Sequence, residues 1–202
     1  MGYYSYKLDH DFGLAPNPFG GYCTLAVCKA DIRMNKRLMI GDWIFGLGSV
    51  KLKNLNHLIY AMKVEEKITF NEYWEDQRFQ YKKPVLNGSL VQIYGDNIYH
   101  IDPITKKWHQ ENSAHSLIDG KTNDSHTVAD TKGEFVLISK SFYYFGDEAF
   151  EIPEKFLPIC NEGRNVKSVS IPEPIADEFV KWLSEKYDQG IMGDPINWKN
   201  HK

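Results

Sequence analysis

The sequence has 202 residues, of which 42% are hydrophobic and 14% aromatic, and its formal net charge at pH 7 is −3. This composition excludes a disordered polymer and supplies enough apolar surface for one sizeable domain. Nucleic-acid binding without sequence preference needs many lysine and arginine contacts to phosphate, so the charge favours a small ligand over a long duplex. A local basic patch leaves contact with nucleic acid open, and its candidates are Lys29, Arg33, Lys36 and Arg37.

Two apolar runs near the N-terminus predict two strands joined by a long polar loop. Residues 3–8 alternate in polarity, and residues 22–29 are apolar except for Thr24 and the final lysine. Loops of this length in compact domains often carry function, although Pro16 and Pro18 are equally consistent with a purely structural loop. Polar side chains are concentrated in and beside this loop: Lys7, Asp9, His10, Asp11 and Asn17.

The next segments predict a connection and two further strands. Residues 30–38 form a charged connection, and residues 39–47 contain a turn that leads into a buried strand. Glycines at the end of that strand, Gly46 and Gly48, favour a bulge or a close approach of backbone. Residues 57–64 are apolar on both faces, which predicts a strand in the centre of its sheet.

The second half of the chain predicts two helices and one clear strand. Thr69 and Glu72 have the capping-box spacing that opens a short helix. Residues 80–132 show little regular pattern, whereas residues 134–139 form a clear strand that 141–145 extend or pair with. The best helix covers residues 174–187, where an apolar stripe recurs at helical spacing, and residues 195–202 form a tail. Early strands, few helices and mixed spacing predict an α+β fold built around a bent sheet or barrel, with short helices and a C-terminal helix.

Cysteine usage and the N-terminus predict a cytoplasmic protein that does not contact a membrane. Cys23, Cys28 and Cys160 form no Cys-x-x-Cys pair and no disulfide framework, so we expect buried free thiols in a reducing compartment. The N-terminus has no basic and apolar regions of a signal peptide, and no apolar run approaches the ~20 residues of a membrane helix.

Several segments resemble the nucleotide modification associated domain of the second type. They are APNPFGGYCTLAVCKADIR, GDWIFGLGS, LIYAMKV, ITFNEYWEDQRFQYKKP, GDNIYH and FVLISKSFYYFG, and the resemblance spans residues 3–152. This family is known mainly from phage and bacterial gene neighbourhoods linked to altered DNA bases, so the resemblance implies a pathway and not a reaction. We expect a single such domain over residues 1–202, with a C-terminal helix and tail at 171–202.

A second, architectural resemblance is to PUA-like domains, in particular the EVE and YTH branches. It rests on the order of a Gly-Asp-Trp-Ile turn, a Gly-Ser pair, an apolar strand, an aromatic helix and an Asp-x-Arg-Phe motif. The resemblance implies a barrel that holds a modified base in a pocket with aromatic walls. Fold analogy does not establish activity.

Polar and aromatic residues in these segments are candidates for a nucleotide site, although each also suits a structural role. Lys7, Asp9 and His115 are the predicted nucleophile and acid–base groups. The predicted ligand-binding residues would read a base edge, stack on the base, contact phosphate or line the pocket: Asn17, Lys29, Arg33, Gly48, Ser49, Tyr73, Trp74, Arg78 and His100. The histidines lack the spacing of a helical or finger-type zinc site, so we expect no metal, and no motif predicts a cofactor.

These features support three hypotheses for the function. The first is recognition of a modified or unusual nucleobase or nucleotide in a DNA-modification or phage–host conflict pathway. The second is an enzyme of the same pathway that transfers or removes a group on a base or nucleotide. The third is a protein-interaction module in phage defence or counter-defence. The sequence leaves the oligomeric state open.

Overall fold

A computed structural model describes residues 1–160, 167–168 and 171–200, and these form a mixed α/β fold. The described strands are β1 (Tyr3–Lys7), β2 (Cys23–Leu25), β3 (Trp43–Leu47), β4 (His57–Lys63), β5 (Glu66–Thr69), β6 (Tyr99–Ile101), β7 (Trp108–Gln110), β8 (Phe135–Ser139), β9 (Phe142–Tyr144), β10 (Phe150–Glu151), β11 (Lys167–Ser168) and β12 (Gly190–Ile191). The described α-helices are α1 (Ala30–Arg33), α2 (Phe70–Glu75), α3 (Leu90–Ile93), α4 (Asp124–Thr131) and α5 (Glu173–Lys186). Short 3₁₀ helices cover Gln77–Lys82, Gly146–Glu148, Glu154–Ile159 and Ile196–Asn200.

The chain divides into two compact units. The first unit comprises Met1–Phe12, Arg37–Glu65 and Ser139–Lys202, and the second comprises Gly13–Lys36 and Glu66–Ile138. Residues 201–202, at the end of the predicted tail, lie outside the described part of the chain.

The first unit is built on a seven-stranded sheet in the order β11-β1-β3-β4-β9-β12, with β10 also paired to β4. The predicted strands at 3–8, 39–47 and 57–64 are confirmed as β1, β3 and β4. β4 lies between β3 and β9, as its two apolar faces indicated.

One face of this sheet is covered by the helix predicted at 174–187, which is confirmed as α5. Its apolar stripe is buried at Ala176, Phe179 and Leu183. The Phe179 ring meets the Phe45 ring of β3 edge-on, with 5.5 Å between the ring centroids. Burial of this stripe against the sheet stabilises a helix whose opposite face is charged.

The second unit contains a three-stranded sheet in the order β2-β8-β5 and the two-stranded hairpin β6-β7. The predicted capping box is confirmed: the Glu72 amide donates to Thr69 Oγ1, and the Thr69 amide donates to the Glu72 carboxylate at 2.7 Å. Helix α2 buries Phe70 and Tyr73 and leaves Trp74 half-buried.

Three predictions of secondary structure need correction, for residues 22–29, 80–132 and 134–145. The strand expected at 22–29 is limited to β2, because the backbone turns at Cys28 and Lys29 and enters α1, inside the segment expected to be a connection. The region 80–132, which showed little regular pattern, contains α3, β6, β7 and α4. The strand at 134–139 is confirmed as β8, but its neighbour β9 pairs with β4 in the other sheet.

The sequence predicts an α+β fold built around a bent sheet or a barrel. The described strands form several open sheets and do not close into a barrel, so the barrel alternative is wrong, whereas the mixture of helices and sheets and the C-terminal helix are confirmed. Similarity to PUA-like domains stays a prediction. Among the described residues, no helix combines the length and the apolar content needed to cross a bilayer.

Candidate active site

The candidate active site of the second unit begins at a sharp turn between β2 and α1. Cys28 and Lys29 have φ values of 54° and 37°, in the left-handed region that residues with side chains rarely adopt. Backbone of this kind costs about 1–3 kcal/mol per residue and is concentrated at functional sites. The turn leaves Cys28 half-buried, whereas Cys23 is fully buried, so the expectation of three buried thiols is wrong at Cys28.

The side chain of Cys28 is the first member of a chain of three groups. Its Sγ atom lies 3.7 Å from Nε2 of His115, within hydrogen-bonding distance for sulfur. The opposite ring nitrogen of His115, Nδ1, lies 2.7 Å from Oδ2 of Asp130. His115 follows β7, and Asp130 belongs to the last turn of α4, so three separate elements meet here.

The carboxylate of Asp130 is held from several directions. Its Oδ1 atom accepts a hydrogen bond from the Cys28 amide at 2.7 Å, and its Oδ2 atom accepts one from the Tyr99 hydroxyl at 2.9 Å. The Gln110 amide nitrogen donates to the Tyr99 hydroxyl at 2.9 Å and to the His115 carbonyl at 3.3 Å. These contacts fix the orientation of the carboxylate and the position of the imidazole.

Arg33 supports the turn from inside the unit. It is fully buried, and its guanidinium donates to the carbonyl oxygens of Cys28, Asp130 and Phe135 at 3.0, 2.6 and 3.2 Å. Burial lowers the pKa of Arg33 to about 10, so the side chain stays charged at neutral pH. The guanidinium is therefore bonded to backbone carbonyls around the turn, and a contact of Arg33 with phosphate stays a prediction.

The electrostatics of the chain favour a charged imidazole. Burial lowers the pKa of His115, but the hydrogen bonds with Asp130 and Cys28 outweigh it and raise the pKa to about 10. Burial raises the pKa of Asp130, yet the contacts from His115, the Cys28 amide and Tyr99 hold it below its ordinary value. A charged imidazole beside a cysteine favours the thiolate form of the sulfur.

The same three side chains bring their ligand atoms within 4.8 Å of one another, a separation that would also suit a metal ion. Cys28 and Asp130 contact opposite nitrogens of the His115 ring. One ion can bind only one of these nitrogens, and Asp130 already accepts three hydrogen bonds. The order of sulfur, imidazole and carboxylate is similar to that of catalytic triads.

The predicted catalytic residues are divided between the two units. His115 belongs to the chain just described, in the second unit, whereas Lys7 and Asp9 belong to the first. Lys7 ends β1 half-buried, and Asp9 is exposed in the following loop. The sequence pattern did not identify Cys28 or Asp130, although a cysteine where a buried strand gives way to charged residues was an available signal.

Several predicted ligand-binding residues are engaged in a buried network of the second unit. The ammonium of Lys82, which is 1% exposed, donates to Oδ1 of Asn17 at 2.8 Å and to Oγ1 of Thr24 at 2.8 Å. The hydroxyls of Thr24 and Tyr73 donate to the Asp96 carboxylate at 2.6 and 2.7 Å. Asn17 and Tyr73 therefore act inside the core and do not present a free edge or ring face to a base.

Three further candidates have local partners. Arg78 is exposed but bonds the carboxylates of Glu66 and Asp76, both at 2.7 Å. In the first unit, the Gly48 amide donates to the His57 carbonyl at 2.8 Å and the Ser49 amide donates to Oδ1 of Asn54 at 3.2 Å. The backbone amides of Gly48 and Ser49 therefore form hydrogen bonds within the loop that joins β3 and β4.

Two groups of candidates remain accessible in the second unit. Lys29, next to Cys28, is half-buried and stays a candidate phosphate contact. The half-buried Trp74 ring stacks on the His100 imidazole, with 4.1 Å between the ring centroids and 16° between the planes. Trp74 belongs to α2, whereas His100 belongs to β6 and to a second cluster of polar residues on the β6-β7 hairpin.

Comparison with protein families gives a match that covers the whole chain. The model of the family described as "Nucleotide modification associated domain 2" matches residues 1–202. Comparison with curated proteins and with solved structures found no match.

Proposed function

This chain belongs to the nucleotide modification associated domain 2 family, and from that premise we propose that it is a cysteine-dependent enzyme acting on a nucleotide. Cys28 is the proposed nucleophile, His115 the acid–base group and Asp130 the group that orients the imidazole. The observation that carries the proposal is the chain from thiol to imidazole to carboxylate at a strained turn between a strand and a helix. In other enzymes a sharp turn between a strand and a helix presents the nucleophile to the substrate.

The arrangement suits transfer of an acyl group to or from a base or sugar. The Cys28 thiolate attacks the acyl carbon and forms a thioester, while His115 gives its proton to the departing amine or hydroxyl. The neutral imidazole then takes a proton from water or from an acceptor nucleophile, which attacks the thioester and releases Cys28 as thiolate. Asp130 stabilises the imidazolium before and after this cycle.

Lys29 is the proposed contact to the phosphate of the nucleotide. It follows the nucleophile directly in the chain, so a phosphate bound there would lie close to the reacting thiol. A lysine provides a point charge for such a contact. We expect Lys29→Ala to raise KM for the nucleotide and to leave the single-turnover rate at saturation less affected.

The experiment uses nucleotides and short oligonucleotides whose base carries an acyl or amide group, with free amino-bearing bases as acceptors. Product is followed by liquid chromatography and mass spectrometry, and the covalent protein adduct by intact mass and its release with hydroxylamine. We expect Cys28→Ala to abolish both signals and Cys160→Ala, a substitution in the other unit, to leave them unchanged. Product formation that survives in Cys28→Ala would refute the proposal.

Recognition without turnover is the alternative, and the same experiment separates it from catalysis. A binding module would show a thermal shift with one of the nucleotides, no product and no adduct. The engagement of Asn17, Tyr73, Gly48 and Ser49 within the protein makes recognition the weaker proposal. A protein-interaction role in phage defence or counter-defence stays a prediction.

A further inference from the structure

We propose that His100, His109 and Glu111 bind a divalent transition-metal ion with an open coordination position. His100 lies on β6 and His109 lies directly opposite it on β7, in the register His100↔His109. Side chains of directly opposed residues project from the same face of a hairpin. Glu111 follows His109 by two residues in the chain and so extends the same face.

The separations between the three side chains suit one ion. Oε1 of Glu111 lies 3.3 Å from Nε2 of His109 and 4.0 Å from Nδ1 of His100. A tetrahedral ion with ligands at about 2.1 Å needs ligand atoms roughly 3.4 Å apart. All three ligand atoms lie within 4.8 Å of one another, so rotation of the side chains can bring them around one ion.

Nδ1 of His100 is the atom that most needs a partner. It is buried and makes no hydrogen bond within the part of the chain that the structure describes. A buried polar atom without a partner costs free energy, and metal coordination removes that cost. Stacking on Trp74 holds the imidazole of His100 in place, as the supporting residues of metal sites commonly do.

The hairpin itself is also held in position. The Ile101 amide, next to His100, donates to Oδ1 of Asn71 at 2.7 Å, and the Glu111 amide donates to the Ile98 carbonyl at 2.9 Å. The ammonium of Lys83 lies 3.4 Å from the centroid of the Trp74 ring. This positive charge would repel a metal ion bound nearby. The Glu111 carboxylate offsets this charge by direct coordination.

An open groove lies beside the proposed metal site. Two of the proposed ligands, His109 and Glu111, contribute to the wall of this groove, which includes Asn112, Lys121 and Asp124. Two histidines and one carboxylate with an open position are typical of zinc and of non-haem iron sites that bind water or substrate. The groove gives such a ligand access from solvent.

The test is titration of untagged protein with Co²⁺ and Zn²⁺, because Co²⁺ in a site of low coordination number absorbs visible light. We expect one Co²⁺ per chain and its displacement by Zn²⁺. His109→Ala and Glu111→Gln alter exposed or half-buried residues and should weaken binding by about 100-fold or more. His10→Ala, an exposed histidine of the first unit, is the matched control and should bind as the wild type does.

Cys28→Ala distinguishes this site from the proposed active site. We expect it to retain the ion with an unchanged spectrum, and we expect the wild type to show no thiolate-to-cobalt charge-transfer band. Equal affinity in wild type, His109→Ala and Glu111→Gln would overturn the proposal, as would loss of the ion in Cys28→Ala. The metal readout requires no turnover, so its failure is distinct from failure of the proposed enzymatic function.

Discussion

The thiol of Cys28 lies 3.7 Å from Nε2 of His115, although 87 residues separate the two in the chain. The contact joins the β2–α1 turn to the loop after β7, and Asp130 of α4 braces the imidazole from its other side. Three separate elements therefore maintain the geometry of this contact.

Cys28 should be the most reactive of the three cysteines at neutral pH. The charged His115 favours the thiolate, whereas Cys23 and Cys160 are buried, at 0% and 8% exposure. We expect His115→Ala to slow alkylation of Cys28 by about tenfold or more at pH 7. His126→Ala is the matched control. It removes a second imidazole that packs edge-on against His115 but leaves the His115 imidazole in place, so we expect the labelling rate to change little. The measurement is iodoacetamide labelling with peptide mapping, and equal labelling of all three cysteines would contradict the expectation.

The contribution of His115 to stability should decrease as the pH rises. Its pKa is about 10 in the folded protein and about 6.5 in an unfolded chain, so the folded state binds more protons between these values. The stabilisation is complete below about pH 6.5 and is lost as the pH rises through about 10. We expect the Tm difference between wild type and His115→Asn to shrink over this range in thermal unfolding. A difference that stays constant over this range would show that His115 is neutral in the folded state.

Arg33 should be required for both folding stability and thiol reactivity. In Arg33→Lys, the lysine lacks the planar guanidinium and cannot donate to all three carbonyl oxygens. A buried carbonyl without a hydrogen bond lowers the free energy of unfolding by about 1–3 kcal/mol. We expect urea unfolding to show a loss of about that size and the native protein to label more slowly at Cys28. Arg37→Lys, at an exposed position, should change neither quantity. Normal labelling in a destabilised Arg33→Lys would limit Arg33 to a structural role.

Lys82 and Asp96 should be coupled in the core of the second unit. Burial lowers the pKa of Lys82 to about 8, while the negative charge of Asp96 raises it. Lys82→Met leaves the buried carboxylate without its cation and should cost about 3–5 kcal/mol. The double variant Lys82→Met/Asp96→Asn should recover part of this loss in a double-mutant cycle measured by urea unfolding. The control is Lys83→Met, at the adjacent half-buried position, and strictly additive losses would exclude the coupling.

Patterns along the sequence correctly predicted the elements that have regular apolar spacing or a local capping motif. The alternating and continuous apolar runs of β1, β3 and β4, the stripe of α5 and the capping box of Thr69 and Glu72 all follow from spacing along the chain. Short elements were missed, because β6, β7 and α1 have three or four residues and little periodicity. Their positions depend on contacts with distant segments.

Patterns along the sequence predicted only part of the candidate site. His115 was predicted as an acid–base group from its residue type, but nothing in the sequence placed it against Cys28. Asn17, Tyr73 and Arg33 are polar residues in apolar surroundings, and a sequence cannot distinguish a ligand contact from a buried hydrogen-bond network.

The sequence by itself determined the family, the mixed α/β class and the main strands and helix, because these depend on residue type and spacing along one segment. Only the tertiary structure decided which polar groups meet. Hydrogen bonds and pKa shifts depend on distances of a few ångström between residues far apart in the chain. Cys28, His115 and Asp130 become one chemical unit for this reason.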